Sequence, residues 1–234
     1  MLIGYLEGSG EHALFNFIYG LVQINSQHYI VAERFNHCLR NIQEFPWKTE
    51  NNKWETSTYA GNCTVQGRTD GPLHIARFQE LLSMMKVNEI LLLTQLRGES
   101  IRRIDIVTGI VTTIFRSDFR ALRGLALLER NNEFYATTGH GILHIINEKG
   151  FWLMGSLNAG TRVGNFSNAQ FNDPADIKWL DNITLVVADS NNHNLKVIEL
   201  ETERVFQICE GESYFEFSYF AIILTLQSPI HCSA

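Results

Sequence analysis

Apolar residues in this chain come in short runs separated by polar clusters rich in Asn, Gly and Asp. An aliphatic run follows a Phe (Gly20–Ile24, Leu125–Leu128, Ile177–Leu180), and "YIVA" or "LVVA" comes next. A polar turn such as "DSNNHN" then leads into "LKVI". A Thr/Val-rich segment ("VTTIF", "ERVFQI") closes the unit after a turn containing "VTG" or "NEKG". β-Branched and aromatic residues between turn formers predict strands, and no stretch keeps a helical period. The pattern predicts an all-β chain of small four-stranded sheets.

The unit repeats. "VAERFNHCLRNI" (Val31–Ile42) and "VADSNNHNLKVI" (Val187–Ile198) coincide at Ala32/Ala188, Asn36/Asn192, His37/His193, Leu39/Leu195, Arg40/Lys196 and Ile42/Ile198. "LTQLRGESIRRI" (Leu93–Ile104) and "YATTGHGILHII" (Tyr135–Ile146) read in the same gapless frame, sharing its aliphatic pair. Phe15, Phe78, Phe119 and Phe171 precede the aligned Ala32, Thr94, Ala136 and Ala188 by 16 or 17 residues. Phe215–Leu224 echoes Phe15–Ile24 as the start of a fifth unit. Successive starts lie 41 to 63 residues apart, the length of a propeller blade rather than of a leucine-rich or ankyrin repeat.

A Phe, an aliphatic strand and then "VADSNNHNLKVI" resemble the NHL repeat, which builds β-propellers. The resemblance covers residues 1–224, with repeats starting near 15, 78, 119, 171 and 215, and leaves 225–234 as a divergent or truncated tail. "NHC…AGNC" with "DGP…ARF" is similar to extracellular NHL proteins, including an egg-protein group of parasitic flatworms. The resemblance implies a β-propeller of four full blades plus a partial fifth, an incomplete ring. The last blade is expected to take its first strand from Phe215–Leu224 and its fourth from Leu2–Leu6.

Composition narrows the functions. Hydrophobic residues make up 45% and charged residues 19%, which excludes a disordered linker. A net charge of −6 argues against a nucleic-acid or anionic-membrane surface. The most apolar run, Phe215–Leu226, is too short to span a membrane and contains Glu216. No signal peptide is visible in Met1–Gly10.

Candidate chemistry is sparse. Cys38 opens the third strand of the first repeat and Cys63 lies just past the antiparallel fourth, so a Cys38–Cys63 disulfide is expected. The alternative is two reduced, buried thiols in a cytosolic protein. Cys209 and Cys232 have no registered partners. Glycosylation acceptors stand at Asn62, Asn165 and Asn182, about as many as chance supplies. His37 and His193 occupy equivalent turns in different blades and read as turn residues, not as zinc ligands, which must converge. The NHL family includes a peptide-amidating lyase with zinc histidines near the inner mouths of its propeller. The expected inner strands here contain no His, so that site is not carried over. Glu80, Asp173 and Asp176 could line a channel or hold calcium as in lactonase-like propellers, but read better as solvated turn acids. No catalytic, cofactor or metal residue is assigned.

The insertion "EFPWKTENNKWE" (Glu44–Glu55) places Trp47 and Trp54 on a long hairpin, as a partner-binding surface or as packing on the blade's own edge. The reading reached from the sequence is a non-enzymatic platform for protein or glycan ligands, extracellular, with a cytoplasmic location as the alternative. The competing functions are a metal-dependent enzyme of the lyase or lactonase type and RNA binding. The scattered Arg102, Arg103, Arg120 and Arg123 support RNA binding poorly.

Overall fold

The computed structural model describes residues 4–49, 53–97, 99–118, 121–128 and 133–210. The chain divides into two compact units, Met1–Asp118 and Phe119–Ala234. In the first unit, β1 (Gly8–Ser9), β2 (Ile18–Asn25), β3 (His28–Glu33), β4 (Cys38–Glu44) and β5 (Trp54–Ala60) form one antiparallel sheet in the order β1-β5-β4-β3-β2. A second sheet, β6-β10-β9-β8-β7, comprises β6 (Gly71–Pro72), β7 (Leu81–Val87), β8 (Ile90–Gln95), β9 (Ser100–Asp105) and β10 (Ile110–Arg116). In the second unit, β11 (Leu125–Leu128), β12 (Glu133–Thr138), β13 (Gly141–Ile146) and β14 (Lys149–Gly155) pair in chain order. The fourth sheet, β15-β19-β18-β17-β16, holds β15 (Gly164–Asn165), β16 (Asp176–Trp179), β17 (Thr184–Asp189), β18 (Asn194–Glu199) and β19 (Arg204–Glu210). Among the described residues these are four blades of the expected kind, and the only helical element is a 3₁₀ turn at Ser190–Asn192. The fifth unit, Phe119 and Cys232 lie outside the described residues.

Neighbouring blades within a unit meet through apolar faces. Ile30, Ala32 and Leu39 of the first blade pack on Phe78, Leu81, Leu91 and Leu93 of the second. Phe171, Ile177, Leu185 and Val187 of the fourth blade pack on Ala126, Tyr135 and Ile142 of the third. Each such aliphatic or aromatic side chain contributes about 1.5–3 kcal/mol by leaving water. β2 and β7 approach so closely that a Cβ at Gly20 would stand 2.9 Å from that of Met84.

β1, β6 and β15 are short additions that the repeat pattern did not announce. Each belongs to the segment leading into a blade and lies along that blade's outer strand. The acid before the glycine holds two of them in place. Glu7 accepts the Thr58 N–H at 2.7 Å and its hydroxyl at 2.6 Å. Asp70 accepts the Thr113 N–H at 3.0 Å and its hydroxyl at 2.9 Å. This corrects the expectation that Leu2–Leu6 forms the fourth strand of a last blade. Leu2 and Ile3 lie outside the described residues, Gly4–Leu6 forms no strand, and Leu6 makes one bridge to Leu14. Glu7-Gly8 repeats the chemistry of Asp70-Gly71, so the N-terminal segment is a lead-in to the first blade.

The third repeat also departs from the gapless frame. A bulge marks the same place in each of the four described blades, between Leu39 and Arg40, opposite Ile101 and Arg102, between Ile142 and Leu143, and between Leu195 and Lys196. Leu143, not His144, therefore stands where Arg40 stands, and Thr138, not Thr137, where Glu33 stands. The cause is the β12–β13 turn: Thr138 pairs with Gly141 across two residues, whereas Glu33 pairs with Cys38 across four. Removing two turn residues shifts each strand by one position, which exchanges its two faces.

Candidate functional site

The most repeated polar residues are buried inside the blades. In the fourth blade, Asp189 and Lys196 are fully buried and pair at 2.7 Å. The Lys196 ammonium lies 4.8 Å from the Phe171 ring centroid and donates to the Gln170 carbonyl at 2.5 Å. Asp189 also accepts the Asn172 N–H and the Asn192 amide, each at 2.7 Å. The first blade repeats this arrangement. Glu33 and Arg40 pair at 2.9 Å, both fully buried, and Arg40 lies over Phe15 at 5.3 Å while donating to the Leu14 carbonyl. Asn16 and Asn36 donate to Glu33. Burial pushes the pKa of both acids up, against the donors that pull it down. In the second blade Gln95 takes the acid's place beside Arg102, and Asp70 supplies the charge from the lead-in at 2.7 Å. These residues hold architecture together.

The histidines close turns. His37 and His193 adopt left-handed φ angles of 56° and 52°. His37 Nδ1 accepts the backbone N–H of Glu80 at 3.1 Å, which ties the first blade to the second. That role requires a neutral ring, and burial holds the His37 pKa below the ordinary 6.5, with Glu80 opposing and Arg97 assisting. The unfolded chain therefore binds more protons just below pH 6.5. Stability of the first unit is expected to be full above that value and to fall as pH drops below it, by at most about 1.4 kcal/mol per pH unit for one group. Chemical denaturation between pH 7 and 5 measures this, and His37→Asn should flatten the profile. An unchanged slope in that variant would assign the pH dependence elsewhere.

The acids considered for calcium are each paired with a cation. Glu80 meets Arg34 at 2.9 Å and Arg97 at 2.5 Å; Asp173 meets Arg123, and Asp176 meets Lys178, both at 2.7 Å. Among the described residues no group of three His, Cys, Asp or Glu is placed to hold a metal. Arg102 is buried and Arg103 lies 3.6 Å from Asp105, while Arg120 lies outside the described residues.

The two tryptophans separate. Trp54 is half-buried, 6.1 Å from Tyr29 on its own blade. Trp47 is 78% exposed in the β4–β5 hairpin, edge-on to Phe45 at 5.2 Å, with Lys48 over the Phe45 ring. Lys48–Glu55 and Lys53–Glu44 ion pairs brace the hairpin. A second exposed aromatic pair, Phe17 and Phe35 at 5.2 Å, stands beside Arg34, whose guanidinium covers Phe35. Sequence reading missed it because Phe35 falls inside a turn otherwise read as polar. Cys38 and Cys63 form the expected disulfide. Asn62, Asn165 and Asn182 are all exposed. Cys209 lies in β19, paired through its backbone with Leu195.

No family model matches the chain. It is 36% identical over 72 residues to "NHL repeat-containing protein 2" of Homo sapiens, a match covering 30% of this chain and 10% of that protein. The Bos taurus counterpart is 35% identical over 77 residues, again 10% of its length. The chain thus spans about a tenth of the curated relatives it matches. Among solved structures it is similar to a catalytically inactive virginiamycin B lyase from Staphylococcus aureus bound to quinupristin. That match has a TM-score of 0.57 at 12% identity and covers 89% of this chain and 60% of that one. A chain of the nidogen/laminin complex matches with a TM-score of 0.54 at 13% identity, over 79% and 62%. The WD40 β-propeller domain of Doa1 matches at 0.55 and 10%, over 89% and 73%. At such identities the likeness establishes the fold alone.

Proposed function

We propose that this chain, an NHL-repeat β-propeller, is a non-enzymatic binding platform that holds a protein partner outside the cell. The observation that carries the reading is Trp47, which offers most of its ring to solvent on a hairpin braced by two ion pairs. Trp is enriched where interfaces concentrate their binding energy. The buried polar positions of the repeat are occupied in holding blades together, which leaves such exposed residues as the recognition chemistry. A disulfide in the first unit suits an oxidising compartment. The structurally similar nidogen/laminin complex supports protein recognition by this fold.

The test is to present the full chain and its Trp47→Ala variant to arrays of extracellular proteins and of glycans. A protein ligand bound at least tenfold more weakly by the variant, with unchanged thermal stability, is the expected result; tenfold is about 1.4 kcal/mol. Equal binding by both forms would place the interface elsewhere. Glycan binding without protein binding would replace the ligand class. A stoichiometric, tightly held metal ion in the purified protein would overturn the non-enzymatic reading.

A further inference from the structure

We propose that the outer edge of the third blade, β14, is a docking site that takes up an extended segment of a partner protein as a fifth strand. The other three described blades show how such an edge is covered. Gly8, Gly71 and Gly164 pair with the same place of the outer strand, at Thr56, Val111 and Val205, and the next lead-in residue pairs with Glu55, Ile110 and Arg204. One step further, the Gly10, Leu73 and Phe166 N–H groups donate to the Trp54, Gly109 and Glu203 carbonyls. Among the described residues no strand lies along the outer edge of β14.

The repeat spacing explains the difference. Each paired glycine stands nine residues before the left-handed residue that follows the repeat's Phe by two: Gly8 before Phe17, Gly71 before Glu80, Gly164 before Asp173. In the third repeat that residue is Ala121, with a φ of 63°, and nine residues before it stands Thr112. Thr112 already lies in β10, paired with Arg103. The third lead-in is therefore too short to supply a strand of its own.

The uncovered place is Gly150, which pairs with Ile145 as Thr56 pairs with Ile42. Thr56 lies between the Trp54 carbonyl and the Thr58 N–H, which both face the lead-in, and outward groups recur at every second residue. Gly150 thus turns its N–H and carbonyl to the outer edge. Such an edge is a template for another extended chain, bound through main-chain hydrogen bonds and selected by side chains at alternate positions.

The side chains set the partner's chemistry. Phe151 stands where Phe206 stands in the fourth blade, and Lys149 where Arg204 stands. The fourth lead-in meets that pair with Val163-Gly164-Asn165, and Phe206 is 36% exposed against 54% for Phe151. The first and second lead-ins instead place an acid before the glycine, where Thr58 and Thr113 receive it; the third blade has Trp152 at that place. An aliphatic residue, a glycine and an acid therefore fit β14, lying against Phe151, Gly150 and Lys149 in turn. Val163-Gly164-Asn165 itself is engaged with β19, so the partner brings its own such stretch. The inference does not rest on the Trp47 reading.

NMR titration of the full 15N-labelled chain with a synthetic peptide of residues 161–168 carrying Asn165→Asp tests it. The expected result is chemical-shift change centred on β14, with amide exchange at Gly150 slowed about tenfold at saturation. Gly150→Pro removes the outward N–H and spares the groups that face β13, so it should weaken the peptide about tenfold at unchanged thermal stability. Lys149→Glu should weaken it too, and a peptide carrying Asn165→Lys should recover binding to that variant. Shifts centred on another blade's edge, or no binding at millimolar peptide, overturn the proposal. So does slow exchange at Gly150 in the free, dilute chain, which would mean that the edge is already covered. A dimer in sedimentation that Gly150→Pro dissolves would make the occupant a second copy, and overturns it as well.

Discussion

Asp189→Ala is expected to destabilise the unit Phe119–Ala234 by about 3–5 kcal/mol, because it leaves the Lys196 ammonium buried without its counter-ion. The loss exceeds what one hydrogen bond contributes. Asp189 receives Lys196, the Asn172 N–H and the Asn192 amide, so its removal takes an acceptor from three donors on three segments. Lys196 cannot swing out to water, since its side chain is fully buried and its amine already meets the Gln170 carbonyl and the Phe171 ring. The ion pair itself is not a large source of stability, because desolvating two charges offsets most of their attraction. The double variant Asp189→Ala, Lys196→Met should therefore recover most of the loss. Chemical denaturation, with hydrogen exchange followed at the β17 and β18 amides, measures both. A single-variant loss below about 1 kcal/mol would show that Lys196 reaches solvent.

Replacing both Cys38 and Cys63 with Ser should cost the first unit about 3 kcal/mol. The bond closes a loop spanning 25 residues, and in the chain-entropy account that constraint on the unfolded chain supplies a value of this size. The two cysteines are 0% and 6% exposed, so a mild reductant should not open the bond without unfolding. The bridge also fixes the crossing from the first blade to the second, where Thr64 N–H meets the Asn36 carbonyl next to His37. Gly61 makes room for this crossing: its φ is 95°, and a Cβ there would stand 3.0 Å from the Phe78 ring and 3.3 Å from Cys38 Cβ. Unreduced peptide mapping should find the two cysteine peptides joined in protein from an oxidising host. Free thiols at both positions there would remove the disulfide and with it the argument for an oxidising compartment.

The strands of each blade were legible because short β-branched and aromatic runs between turn formers are a local signal. So was the disulfide, which needed only the adjacency of two antiparallel strands. The third repeat was misread by one position because its identities are aliphatic, and an aliphatic residue fits either strand face until a bulge fixes the register. Glu7-Gly8 escaped notice for a different reason. Its work is a pair of hydrogen bonds to Thr58, a residue distant in sequence, and a carboxylate before a glycine carries no periodic signal. At the candidate site, Trp47 stood out by residue type, whereas Phe17 and Phe35 became a pair only once the first inner strand met the β3–β4 turn.

The left-handed residue two places after the repeat's Phe is a phenylalanine, a glutamate, an alanine and an aspartate in successive repeats. Its φ stays between 50° and 63° from blade to blade, while its side chain changes in kind. A fixed mount with an interchangeable head lets one blade carry an exposed aromatic at Phe17 and the next a buried, ion-paired acid at Glu80 on the same local backbone. Diversification of such a position can proceed one residue at a time.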